Sequence, residues 1–146
     1  MIFWQDVKER QVYWFLFPLV AIFCAYLLYS NILEAVFFTT LLINLMFVLL
    51  LILVIFIYSI LKLKQPIQHT FGMGDALLFF ALAFSFSSIS FLTYFVFGLI
   101  CSLILHLVFK NKNQHKSVPL AGYLSLFFSI VYITNWLGYL PTLYTL

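Results

Sequence analysis

Asp6 and Asp75 are the only aspartates in this sequence, and each stands at the edge of a long uncharged stretch. Two carboxylates brought together can share one proton. One then activates a water while the other protonates a peptide oxygen or a leaving amine, and like-charge repulsion in a low-dielectric site separates the two titrations. Such a pair titrates as a unit. Taken singly, an aspartate at such an edge also serves as an interface marker or a helix cap. Asp75 suits a helix N-terminus, where unpaired amides and the dipole favour a carboxylate. Cys24 and Cys101 lie in apolar runs with no Cys or His at metal-ligand spacing. They read as small packing residues, and no metal or cofactor is expected.

The elements that must position these aspartates are membrane helices. Hydrophobic residues make up 66% of the 146 and charged residues 8%, against roughly 45–50% and about 25% in ordinary globular proteins. Mean hydropathy is +1.16. A soluble domain of this size could not hide so much apolar surface. The composition excludes a soluble enzyme, a disordered tail, a collagenous fibre and a disulfide scaffold. It points to an all-α, polytopic membrane protein of one domain, residues 1–146. The uncharged runs are too long for the alternating segments of an outer-membrane barrel. A net charge of +3 gives no support to nucleic-acid binding.

Charged residues divide the chain into uncharged stretches at 11–33, 35–61, 76–109 and 117–146. A spanning helix needs about 20 apolar residues. The first stretch predicts a helix over about 11–29 and the second a long one over about 34–61. The third, 34 residues, would be about 50 Å long as one helix, too long for a core of about 30 Å. The serine cluster Ser85–Ser90 offers a turn, so helices are expected over about 75–89 and 92–109. The last runs from about 118 to 137, opening near Pro119 and ending at Gly138 and Pro141. Asn44, Thr39 and Thr40 are expected to hydrogen-bond between helices. Trp4, Trp14 and Trp136 suit interface belts.

Five crossings place all seven Lys and Arg on one side: Lys8 and Arg10, Lys62 and Lys64, and Lys110, Lys112 and Lys116. The positive-inside rule makes that side, and the N-terminus, cytoplasmic. The first apolar run is longer than a signal-peptide core and no A-x-A site closes it, so it reads as a retained anchor. Both aspartates then fall at the cytoplasmic boundary. His69 and His115 belong to solvated loops. His106 reads as a packing or hydrogen-bonded residue.

Asp75 ends the tetrad Gly72-Met73-Gly74-Asp75, and glycine permits close backbone approach. A phosphate-loop reading of Gly-x-Gly fails, because no strand precedes it and the rest of the motif is missing. Asp6 lies in Trp4-Gln5-Asp6-Val7-Lys8-Glu9-Arg10-Gln11-Val12-Tyr13-Trp14. The two segments together resemble the type IV prepilin peptidases and archaeal preflagellin peptidases. That family carries a first aspartate in a D-x-[KR]-x-[RK]-x-[IV]-[PSY]-[NW] type segment and a second in G-x-G-D at the start of a later helix. Asp6, Lys8, Arg10, Val12 and Trp14 fit the first pattern; Gly72, Gly74 and Asp75 fit the second. Val118-Pro119-Leu120-Ala121-Gly122-Tyr123-Leu124 is similar to the family's I-P-F-G-P-x-L segment, with glycine where the second proline usually stands. The likeness runs from about residue 3 to 126.

The resemblance implies an intramembrane aspartic endopeptidase with Asp6 and Asp75 catalytic, and with Gly72 and Gly74 allowing substrate or helix to approach. It implies cleavage of pilin or pseudopilin precursors, each a basic leader followed by a hydrophobic helix, at the cytoplasmic face of a bacterial inner membrane. Glu9 is a candidate contact for the leader. Family members usually have a membrane helix before the first aspartate, and only five residues precede Asp6 here. The larger bacterial forms add a cysteine-paired N-terminal region for methylation. That region is not in this sequence, so methyltransferase activity is not expected. Partners are the precursor and the bilayer, with room for a homo-oligomer or a further subunit. Two other readings compete: a non-catalytic assembly or scaffold protein keeping the fold, and a small transporter or channel subunit. The last would place charge at mid-membrane depth, and none is seen.

Overall fold

The computed structural model describes residues 2–9, 12–63, 72–109, 119–139 and 143–144, without the side chains of 7–9, 62, 63 and 109. Among them every regular element is helical. In chain order these are α1 (Ile2–Glu9), α2 (Leu16–Asn31), α3 (Glu34–Tyr58, prolonged by a π turn, Ser59–Leu63), α4 (Met73–Leu82), α5 (Ser88–Phe109) and α6 (Leu120–Trp136). Among the described residues two stretches are long and apolar enough to cross a membrane, Glu34–Leu61 and Ser88–Val108. Arg10, Lys64, His69, Lys110, Lys112, His115, Lys116, Val118 and Pro141 lie outside the described residues.

The long helices turn several of their polar side chains inward. The buried stripe of α3 is Thr40, Asn44 and Val48, one residue per helical turn, while Phe38, Leu42, Leu49 and Leu53 face outward. That pattern inverts the soluble amphipathic helix and suits an apolar surrounding. Thr39 is on the exposed side, so of the polar residues expected between helices, Thr40 and Asn44 face inward and Thr39 does not. On α5 the inward stripe is Phe91, Phe95, Gly98 and Ser102. A Cβ on Gly98 would stand 2.8 Å from Leu124 Cδ2 and 3.1 Å from Phe127 Cδ1. The missing side chain therefore lets α5 and α6 pack closely, the usual use of small residues between apolar helices.

Three boundaries differ from the sequence expectation. Pro18 lacks an amide and fits only a first helical turn, so α2 starts at Leu16 rather than near residue 11. The segment around Asp6, expected only as a short charged stretch before the first membrane helix, is itself a helix, α1, docked on α6. The turn in the serine cluster comes earlier than expected: α4 ends at Leu82 and α5 begins at Ser88.

Side chains from other helices satisfy the backbone of that break. Asn44 Nδ2 of α3 donates to the Ala83 carbonyl at 3.0 Å and to the Phe86 carbonyl at 3.1 Å. Tyr132 of α6 donates to the Ser85 carbonyl at 3.2 Å. The Ser87 amide donates to the Leu143 carbonyl at 3.3 Å, so the chain after α6 folds back over the same point. Gly138, at φ 81°, makes the reversal that closes α6. Non-helical backbone buried among apolar helices persists only where its carbonyls find such partners. Phe86 stands at the centre of this region, stacked on Phe128 at 5.7 Å and flanked by Tyr132 and Tyr144.

Candidate active site

The site forms at the first turn of α6. Pro119 occupies the N-cap position and makes no side-chain cap. The first intrahelical bond runs from the Tyr123 amide to the Pro119 carbonyl, at 3.1 Å. The amides of Ala121 and Gly122 therefore lack partners within the helix. Both find carboxylates from elsewhere: Ala121 N donates to Asp75 Oδ1 at 2.7 Å, and Gly122 N donates to Asp6 Oδ2 at 2.6 Å.

The two aspartates, 69 residues apart in sequence, thus meet on neighbouring amides. Covalent lengths across one residue keep the two bonded oxygens within about 10 Å of each other. Charge-assisted bonds at a helix N-terminus combine amide donation with the positive end of the dipole. Each is worth on the order of 1–2 kcal/mol when partly buried. Both carboxylates are partly buried.

Different elements carry each group. Asp75 sits in the first turn of α4, whose opening is fixed by bonds from the Asp75 and Ala76 amides to the Gly72 carbonyl. Asp6 sits on α1, held by Ile2, which is buried, and by a tilted contact between Phe3 and Tyr123 at 6.4 Å.

The four residues marked in the sequence fall into two groups. Asp6 and Asp75 are brought together. Gly72 and Gly74 both precede Asp75, and the space around them differs. Gly72, at φ −68° and ψ 138°, has a backbone any residue can adopt, although a Cβ there would stand 3.0 Å from Asp75 Oδ2. A Cβ on Gly74 would meet only Phe17 Cζ, at an ordinary 3.6 Å. A close approach between helices occurs at Gly122, where a Cβ would stand 3.1 Å from Asp6 Oδ2, 3.2 Å from Asp6 Cβ and 3.3 Å from the Phe3 carbonyl oxygen. The Pro119–Gly122 segment is thus the third part of the site. Its signal in the sequence was a proline followed by glycine at the start of an apolar run. Glu9 has a described backbone but no described side chain. His106, in the last turn of α5, has its Nδ1 buried without a hydrogen-bond partner.

The arrangement offers two carboxylates at one helix end, each oriented by a rigid amide. Among the described residues no group of His, Cys, Asp and Glu could hold a metal ion. The chain matches no protein-family model, no curated protein and no solved structure.

Proposed function

We propose that this chain is a membrane-embedded aspartic endopeptidase of the prepilin-peptidase type. The observation that carries the reading is the convergence of Asp6 and Asp75 on the adjacent amides of Ala121 and Gly122. In this reading one carboxylate takes a proton from water as the water attacks the scissile carbonyl. The other, protonated, carboxyl gives its proton to the carbonyl oxygen, and the proton taken from water passes to the leaving amine as the tetrahedral intermediate collapses. The amides of α6 fix where the carboxylates stand, so the geometry is set before substrate arrives.

The surroundings follow from the same reading. Helices α2 to α6 make five passes of a bacterial inner membrane, with the N-terminus and all Lys and Arg on the cytoplasmic side. The aspartates lie at that face, where water reaches them. A spanning helix resists hydrolysis because its amides bond internally. The substrate is therefore a precursor with a basic leader and a hydrophobic helix, such as a pilin or pseudopilin, cut at their junction.

A second reading draws on the same contact. Carboxylates that bond helix amides are also caps, and a non-catalytic assembly or scaffold protein would keep them for that purpose. The test is cleavage of a prepilin by membranes carrying the wild type, Asp6→Asn or Asp75→Asn. Wild-type cleavage lost in both variants supports the peptidase. Cleavage by none, with all three folded, supports the scaffold.

A further inference from the structure

A groove of about 390 Å³ lies between α1, α2, α4 and α6, and one residue joins it to the aspartates. Phe3 lines the groove, and its carbonyl oxygen is the atom that would stand 3.3 Å from a Cβ on Gly122. From there one wall follows a single face of α6 through Ser125, Ser129 and Tyr132, and the opposite wall includes Val20 and Cys24 of α2. The serine hydroxyls are turned back on their own helix, Ser125 Oγ to the Gly122 carbonyl at 2.8 Å and Ser129 Oγ to the Ser125 carbonyl at 2.7 Å. The wall they leave is mainly apolar. At the far end the Tyr132 hydroxyl, whose proton goes to the Ser85 carbonyl, lies 3.4 Å from Cys24 Sγ and closes the floor.

Shape decides what fits. From Gly122 to Tyr132 is about 15 Å along α6. The groove is only partly enclosed by α1, α2, α4 and α6, so it admits one face of a helix rather than the whole. A lipid tail ending at the aspartates would strip water from two carboxylates and return no hydrogen bond. A peptide brings amides to that end and apolar side chains to the rest.

We infer that this groove holds one face of the apolar segment that follows the scissile bond, lying parallel to α6. The inference rests on the peptidase reading and names where its substrate docks. The apolar segment runs from the aspartates toward Cys24, so side chains about seven to ten residues beyond the scissile bond lie nearest that thiol.

Cys24 supplies the probe. In a Cys101→Ser, Asp75→Asn background it is the only thiol. A synthetic precursor with a basic leader, a 20-residue apolar helix and one cysteine moved along that helix is mixed with it in membranes and oxidised. Disulfide with Cys24 is expected at about seven to ten residues past the junction, on one helical face only. A uniform pattern, or no disulfide while the wild type cleaves the precursor, overturns the groove and leaves the peptidase standing. Disulfide on one face without wild-type cleavage keeps the docking groove and removes the peptidase. As a second measurement, Val20→Trp should fill the groove. Its kcat/KM for the precursor, relative to that for a short peptide lacking the apolar segment, should fall at least tenfold. An unchanged ratio overturns the proposal.

Discussion

The carboxylate of Asp6 packs against Gly122: it accepts a hydrogen bond from the Gly122 amide at 2.6 Å, and a Cβ on Gly122 would meet Asp6 Oδ2 at 3.1 Å. The contact joins the first described helix to the last and sets where α1 stands.

Gly122→Ala should therefore loosen the site more than an alanine on an exposed helix face would. Asp6 Cβ and the Phe3 carbonyl must retreat by a few tenths of an ångström, and α1 is short enough to do so. A loss of about 1 kcal/mol is expected, and about 1–3 kcal/mol for Gly122→Val. Cleavage should fall severalfold for alanine and at least tenfold for valine. Gly74→Ala, whose Cβ makes only an ordinary contact with Phe17, should cost less than Gly122→Ala in both respects. Thermal unfolding in detergent and the cleavage rate check the order. A larger loss from Gly74→Ala would contradict it.

Replacing the aspartates separates chemistry from capping. Asparagine keeps an oxygen that can accept the amide of Ala121 or Gly122, and it is as good a cap as aspartate. Asp6→Asn and Asp75→Asn should each stay within about 1 kcal/mol of wild-type stability while cleavage drops by about 10³-fold or more. Asp75→Ala and Asp6→Ala lose the bond as well and should be a further ~1–2 kcal/mol less stable. The double asparagine variant should be no slower than either single one, because the two groups act as a unit. Rates that multiplied across the two variants would mean independent roles.

Composition and charge spacing made the helical class and most helix positions legible. Uncharged length is a strong signal, and a serine cluster inside an overlong run marks a break. The aspartate pair was legible through its flanking residues. What escaped was packing. Pro18 shortened α2, a local rule outweighed by a long apolar run. That the Asp6 segment folds as α1 depends on its docking against α6, which no short window of sequence contains. The glycine pressed against Asp6 is Gly122, whereas a Cβ on Gly74 would make only an ordinary contact. A glycine beside a carboxylate in sequence looks important, whereas close approach depends on which helix lies opposite.

Asn44 carries the break between α4 and α5, and its loss should be felt at Asp75. The side chain donates to two carbonyls in a buried, apolar setting. Asn44→Leu removes both donors and leaves the carbonyls of Ala83 and Phe86 unpaired on that side. A cost of about 2–3 kcal/mol is expected, above the ordinary single hydrogen bond. Asn44→Gln, with the same donor on a longer stem, should recover part of it. Because α4 is only 10 residues long, a shift at its end reaches Asp75 at its start. Cleavage by Asn44→Leu should fall severalfold in protein that remains folded. Stability equal to wild type in Asn44→Leu would remove Asn44 from this role.

Topology is the last prediction, and it follows from charge. All seven Lys and Arg occur before α2, in the π turn that ends α3 or between it and α4, or between α5 and α6. Five passes bring those three segments to one face. The joint between α2 and α3 holds Glu34, which accepts a hydrogen bond from Tyr29, and no basic residue. Reporter tags near residues 65 and 113 should read cytoplasm, and tags near residue 32 and at the C-terminus should read the opposite side. The pair α4 and α5 is the sensitive point. A 10-residue helix covers only about 15 Å, half of a hydrocarbon core of about 30 Å, and must reach the far side through the break at Ala83–Ser87. If α4 and α5 did not return the chain, the tag at 113 would report the side opposite to the tag at 65. The aspartates would then still share α6, but the basic residues would be split between faces, and the positive-inside assignment would fail.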